Sequence, residues 1–253
     1  GYLHAGHASL IDIARKRADL VIVSIFVNPT QFGPNEDLDK YPRDFEHDRA
    51  LCEEHGVDVI FAPEPGAMYA PDASTWVEET VLSKPLCGAS RPIHFRGVAT
   101  VVAKLFNLAQ PDLAVFGQKD AQQLLVIRRM VRDLNFPIEI IAAPLVRDAD
   151  GLALSSRNRY LSAEERQQAL VLNRTLRPAK LAIERAGIGA IADVLEAVRS
   201  TITGAGGRVD YVEALDTVSL SAPTAETREI LLAMAVYFGT TRLIDNILIE
   251  VKK

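Results

Sequence analysis

The run Leu20 to Val27, LVIVSIFV, constrains this chain more than any other stretch: it is almost continuously apolar and β-branched, with a helical pattern before it and Asn-Pro after it. A strand apolar on both faces belongs in a buried parallel sheet. The pattern before it, Ala8 to Ala18, sets Leu10, Ile11, Ile13 and Ala14 along one side and reads as an amphipathic helix. The alternation then repeats. A helix is expected over Phe45 to His55, stopped by Gly56, and a strand over Val57 to Phe61; a helix over Ala99 to Leu108 and a strand over Leu113 to Phe116; a helix over Ala121 to Leu134 and a strand over Ile138 to Ala142. Strands alternating with helices of this length predict an α/β domain with a doubly wound parallel sheet, spanning residues 1–146.

Beyond Val146 the grammar changes. A polar turn, Arg147 to Gly151, leads to Ser155-Ser156-Arg157-Asn158, then to helical segments over Ala163 to Ala186 and Ile188 to Thr203. About the last 45 residues are mostly strand-like, over Arg208 to Leu215, Glu229 to Val236 and Thr241 to Val251. Helices followed by closely spaced strands predict a smaller α+β domain over residues 147–253 with antiparallel pairing. With 48% hydrophobic and 24% charged residues, the chain of 253 can bury a sizeable core and lies far from the disordered corner. Its net charge of −5 leaves no basic footprint for nucleic acid. No apolar run suits a membrane span, and Cys52 and Cys87 have no zinc-type or disulfide-framework spacing, so a reducing cytoplasmic setting is expected.

Four segments carry chemistry. Gly1-Tyr2-Leu3-His4-Ala5-Gly6-His7 precedes the first helix, where free N–H groups and the positive dipole end favour an anion. Gly6 would let a phosphate approach the backbone, and His4 and His7 could donate to its oxygens. Asn28, Pro29, Thr30 and Gln31 follow the first apolar strand; the amides of Asn28 and Gln31 could hold a hydroxyl or carboxylate at a strand's carboxyl end. A second strand end runs into Gly117-Gln118-Lys119-Asp120-Ala121-Gln122-Gln123, where Lys119 could neutralise a phosphate, Asp120 could cap the helix and receive ribose hydroxyls, and Gln123 could face the cleft. Ser155, Ser156 and Arg157 offer two hydroxyls and a guanidinium suited to a clamp on leaving phosphates.

HxGH, FVNPTQF, RPIHFRGV (Arg91 to Val98), FGQKDAQQ, LALSSRNRYL (Leu152 to Leu161) and GTTRLIDN (Gly239 to Asn246), in this order over essentially the whole chain, resemble the pantothenate synthetase family. That family belongs to the HxGH nucleotidyl-transferase superfamily, so the resemblance implies a Rossmann-like first domain and a C-terminal lid. It implies that ATP activates pantoate to pantoyl adenylate with loss of pyrophosphate, and that β-alanine then displaces AMP to give pantothenate. It also implies a homodimer, and Mg2+ bridging the ATP phosphates, with Asp48 as an approach to the metal. By the same resemblance His4, His7, Lys119, Ser155, Ser156 and Arg157 are the catalytic phosphate contacts. Gly6, Gly117, Asp120 and the backbone at Val146 hold the rest of the nucleotide. Gln31, Gln123, Asn28 and Arg91 line the pantoate pocket, and Tyr41 sits near the pyrophosphate.

Two departures from the family pattern are visible. Its members carry Pro-Thr-Met before Gly1 on a first strand, so the sheet here is expected to lack that strand; and Ala5 replaces an acidic residue between the histidines, where a modest effect is expected. His47 and His55 are expected on a solvated helix face, Cys52 on its packed side, and Trp76 on a strand. His94 could line the site or cap the helix it precedes. The alternatives are a nucleotidyltransferase that leaves AMP on its product, and a nucleotide-binding module that turns nothing over. A tRNA-charging enzyme is disfavoured by the acidic balance.

Overall fold

The computed structural model describes residues 2–34 and 36–251, so Gly1 of the first motif lies outside the described residues. The chain divides into two compact units, Gly1–Leu145 and Val146–Lys253. The first has α1 (Ala5–Arg15), β1 (Ile22–Ser24), α2 (Phe45–Glu54), β2 (Val59–Phe61), α3 (His94–Ala109), β3 (Leu113–Gly117), α4 (Ala121–Asp133) and β4 (Glu139–Ala143). The strands are parallel, as the alternation requires, β1 beside β2 with Ile22 opposite Val59, and β3 beside β4 with Leu113 opposite Glu139.

The parallel strands form two separate two-stranded sheets among the described residues. β1 is also shorter than the apolar run that contains it. Its ladder with β2 ends just after the Ile25 N–H donates to the Phe61 carbonyl, and Pro63 beyond has no N–H to continue it. Ile22 and Ser24 of β1 are exposed and Val23 is half-buried, so the strand is not covered on both faces. The full length and double burial expected of Leu20 to Val27 are therefore corrected.

The helices carry most of this unit's packing. α3 begins five residues earlier than periodicity suggests, because Arg91 to Phe95 turn directly into it, and it buries Phe95, Val98, Ala99, Val102 and Phe106. α4 packs against it through a face that includes Leu124, Ile127 and Met130. Leu3, Ile11, Val21 and Cys52 form a separate small core, which places Cys52 as expected. Trp76 lies on no strand; Arg96 stacks over its ring at 4.7 Å.

The second unit contains α5 (Ala163–Ala169), α6 (Val171–Ala186), α7 (Ile191–Gly204), β5 (Arg208–Asp216), β6 (Glu229–Phe238) and β7 (Thr241–Glu250). Its sheet is antiparallel in the order β5-β6-β7, with Leu231 of β6 opposite both Leu215 and Leu248. Ile230, Leu232, Met234, Val236 and Phe238 of β6 pack against Leu172, Leu176 and Ile183 of α6 and Ile202 of α7. Each such large side chain contributes about 1.5–3 kcal/mol of burial, an upper estimate because the unfolded chain is already partly compact.

Candidate functional site

His4 is the N-cap of α1, and it shares a capping box with His7. Its Nδ1 accepts the Gly6 N–H at 3.1 Å, while His7 Nδ1 accepts the His4 N–H at 3.2 Å. A backbone N–H can only donate, so in each neutral ring the proton lies on Nε2. The ring centroids are 4.0 Å apart. Two neutral Nε2–H donors at a helix start suit phosphate oxygens. The Gly6 N–H, by contrast, is bonded to His4. Burial first, then repulsion by His4 when that ring is protonated and by Lys119, push His7 down to about 3, with Asp120 opposing them.

The segment entering this turn is pinned from α2. Asp48 is fully buried; both of its oxygens accept the Tyr2 N–H, at 3.1 and 3.0 Å, and Oδ1 accepts the Leu3 N–H at 2.5 Å. His47 donates Nε2–H to the Leu3 carbonyl at 3.0 Å and stacks on Tyr2. Asp48 thus meets the first motif through backbone amides rather than as an approach to a metal, and His47 is more than a solvated group. His55 bonds Asp12 at 2.7 Å.

At the carboxyl end of β3, a 3-10 turn over Gln118–Asp120 leads into α4. Asp120 occupies the N-cap position of α4 but makes no capping bond, because at φ −95° and ψ 56° it lacks the extended backbone that aims a cap side chain back at the helix. Its carboxylate lies 3.6 Å from Lys119 Nζ, so the capping expectation is corrected while the acid remains among the charges acting on His7 and His94. Gly117 ends the ladder with β4, opposite Ala143. The two glutamines that follow divide their work. Gln122 is buried, donates to the Leu82 and Pro85 carbonyls at 2.9 and 2.7 Å and accepts the Cys87 N–H at 3.0 Å; Gln123, one helical step round, is half-buried.

The turn after β1 is organised by Asn28, which is 2% exposed. Its Oδ1 accepts from the Thr30 N–H, the Thr30 hydroxyl and the Tyr69 hydroxyl, at 3.3, 2.9 and 2.9 Å. Its Nδ2 donates to the Gly97 carbonyl at 3.1 Å and to Gln31 Oε1 at 3.2 Å. Asn28 is therefore spent on the protein and acts through Gln31, whose amide it orients so that Nε2 is the donor presented to a ligand. Gly97 makes the arrangement possible: a Cβ there would lie 2.5 Å from the Thr30 carbonyl oxygen and 2.7 Å from Gln31 Cα. Gly97→Ala is expected to push α3 off this turn, costing about 1–3 kcal/mol of stability. Urea denaturation checks the loss. Tyr41 packs edge-on against Phe32 at 5.9 Å.

Arg91 and His94 flank the same turn. His94 Nδ1–H donates to the Gln31 carbonyl at 3.0 Å, and its Nε2 faces Arg91 Nη1 at 3.3 Å. Arginine has no acceptor, so Nε2 must accept, and His94 is neutral. Burial first, then the Arg91 charge, push it down to about 4. It starts α3 without capping it. Glu36, a residue that sequence reasoning missed, holds Arg91 side-on: Oε1 accepts Nε–H at 2.8 Å and Oε2 accepts from Nη2. Burial pushes the Glu36 carboxyl up, but its bonds to Arg91 outweigh this and hold it below the usual carboxylate range.

In the second unit, Ser155 Oγ accepts the Arg157 N–H at 3.3 Å and caps the 3-10 turn Ser156–Tyr160. The loop before it is anchored at its base. Arg147 bonds both oxygens of the buried Asp245 at 2.7 and 2.9 Å, and Arg166 bridges Asp148 and Asp150. The Val146 carbonyl accepts the Leu154 N–H at 3.0 Å. Asp245 lies in the Gly239 to Asn246 motif, whose work is thus to hold the approach to Ser155, Ser156 and Arg157.

Two histidines at a helix start, a Lys-Asp helix start beyond a parallel strand, and a glutamine beyond another are features of an α/β enzyme. The chain belongs to the pantoate-beta-alanine ligase family, whose model matches residues 1–248. It is 56% identical over 252 residues to pantothenate synthetase of Moorella thermoacetica, covering 99% of this chain and 89% of that protein. It is 54% identical over 251 residues to the enzyme of Clostridium novyi, covering 99% and 88%. Its fold is similar to the crystal structure of pantothenate synthetase from Thermus thermophilus, with TM-score 0.93 and 48% identity over 98% of this chain and 90% of that one. The Francisella tularensis ligase, crystallised with a β,γ-ATP compound and β-alanine, matches at TM-score 0.77 and 35% identity over 98% and 86%.

Proposed function

We infer that this chain condenses pantoate with β-alanine to pantothenate in an ATP-dependent reaction. Family membership carries the overall reaction, and a route through pantoyl adenylate is supported by two histidines whose Nδ1 atoms are used in capping at a helix start, with His7 within the electrostatic reach of Lys119. A carboxylate oxygen of pantoate attacks the α-phosphorus and the bond to the bridging oxygen breaks, releasing pyrophosphate. The β-alanine amine then attacks the acyl carbon, AMP leaves with the former carboxylate oxygen, and the ammonium proton passes to solvent.

No acid or base is required at phosphorus, so positioning and charge stabilisation supply the acceleration. His4 and His7 donate Nε2–H to phosphate oxygens and Lys119 neutralises them. Ser155, Ser156 and Arg157 supply further donors to the leaving phosphates. Asp120, Gly117 and the Val146 backbone hold ribose and adenine, Gln31 and Gln123 hold pantoate, and Tyr41 stands near the pyrophosphate. Mg2+ enters this reading with the ATP phosphates. The protein's own donors do not fit a resident ion, since among the described residues no three or more His, Cys, Asp or Glu side chains gather to hold one and Asp48 is bonded to backbone N–H groups. A cytoplasmic setting accords with free Cys52 and Cys87, and a homodimer accords with the family resemblance.

The test is pantoate-dependent exchange of labelled pyrophosphate into ATP, with magnesium and without β-alanine. Exchange that requires pantoate is the expected result. Overall synthesis without any exchange would remove the adenylate.

A further inference from the structure

Arg91 is bonded to Gln31, and its surroundings hold it. Nη1 donates to His94 Nε2 at 3.3 Å and Nη2 to the Gln31 carbonyl at 3.3 Å. Those two bonds help to orient the guanidinium, and they leave the Nε and Nη2 edge as a two-pronged donor. Glu36 occupies that edge with both oxygens, from a position 55 residues away in sequence. A planar fork of this kind recognises a carboxylate in two-point fashion. Both partners keep partial access to water, with side-chain exposures of 17% and 25%, so the pair can exchange.

We propose that the Nε and Nη2 edge of Arg91 is the anchor for the carboxylate of β-alanine, and that Glu36 is an internal stand-in which the amino acid displaces. The proposal rests on the ligase reading above and departs from the pantoate-lining role that the family resemblance gives Arg91. Chemistry separates the two substrates. Pantoate's carboxylate oxygen must be free to attack phosphorus, and after the first step it is no longer a carboxylate; a guanidinium bonded to both oxygens would hold back the nucleophile and then lose its partner. The β-alanine carboxylate never reacts and is needed only to aim the amine. Gln31 connects the two sites, since its carbonyl holds Arg91 and His94 while its side-chain amide, oriented by Asn28, serves pantoate. The acyl carbon and the incoming amine are thus referred to one residue.

The experiment is steady-state kinetics of the full chain at saturating ATP and pantoate, varying β-alanine, with n-propylamine as a nucleophile of similar length that lacks the carboxylate. Glu36→Gln keeps the side chain's shape and removes the competing charge, so KM for β-alanine is expected to fall about three- to tenfold. Arg91→Lys keeps the charge and loses the fork; KM for β-alanine is expected to rise about tenfold or more, by a larger factor than KM for pantoate in pyrophosphate exchange, and the preference for β-alanine over propylamine to shrink. An unchanged or raised KM for β-alanine in Glu36→Gln would overturn the proposal, as would an Arg91→Lys enzyme whose pantoate KM rises equally. Pantoate-dependent exchange in the unaltered protein is read alongside. Its absence would count against the ligase reading itself, whereas normal exchange with an insensitive β-alanine KM would count against the anchor alone.

Discussion

Replacing Lys119 by Ala, or His4 by Asn, is expected to lower kcat about a hundredfold or more, the scale of losing one donor to developing charge. The choice of Asn at His4 matters. In the proposed reaction His4 has two tasks: it accepts the Gly6 N–H to start α1, and it offers Nε2–H to phosphate. Asn can accept the same amide as an N-cap, so His4→Asn should retain most of the helix start and of the stability while losing the phosphate donor. His4→Ala would lose both and confuse the two. Thermal denaturation beside kcat separates them: a stable, slow His4→Asn enzyme is the expected outcome, and a stable enzyme with near-normal turnover would remove His4 from the phosphate contacts.

The second large effect is on stability against acid. His7 and His94 are held at about 3 and about 4 in the folded protein, whereas both titrate near 6.5 once unfolded. Between those values the unfolded chain binds protons that the folded chain refuses, so stability rises with pH. The contribution of each histidine is complete above about pH 6.5 and is lost as pH falls towards its folded value, at up to about 1.4 kcal/mol per pH unit apiece. Urea midpoints measured between about pH 7 and about pH 5 lie above the range in which ordinary carboxylates titrate and read the imidazoles. A steep decline is expected in the unaltered protein and a shallower one in His7→Asn and His94→Asn. A flat profile over that range would show that the two rings accept protons without cost.

The alternation of apolar runs and amphipathic segments made the α/β order of the first unit and the antiparallel strands of the second readable, because both follow from local periodicity. The extent of β1 was not readable. The apolar run Leu20 to Val27 reports what could pair, whereas pairing depends on a partner, and β2 supplies only Val59–Phe61 before Pro63. The positions of His4, His7, Lys119 and Gln31 at element ends were legible for the same local reason. Their division of labour was not: histidine is seldom weighed as a cap, and the two rings cap each other's backbone only once α1 has formed. Asn28 has the composition of a ligand-binding amide, yet its partners Tyr69 and Gly97 lie 41 and 69 residues away, and only their contact shows that it is a support. Glu36 carried no signal at all, since an ion pair spanning such a separation leaves no spacing to read. Asp245 stood in a motif with no assigned task until Arg147 was found beside it.

The mutual capping of His4 and His7 has a consequence for how readiness in this protein could be watched. The Gly6 amide hydrogen is bound to the imidazole that the proposed reaction turns towards the nucleotide. Its exchange with solvent deuterium therefore tracks, at a single backbone position and without any substrate, the fraction of molecules in which that ring is parked for work. Fraying of the first turn of α1 would be invisible to a global melt and yet would idle the enzyme, and this one hydrogen would report it.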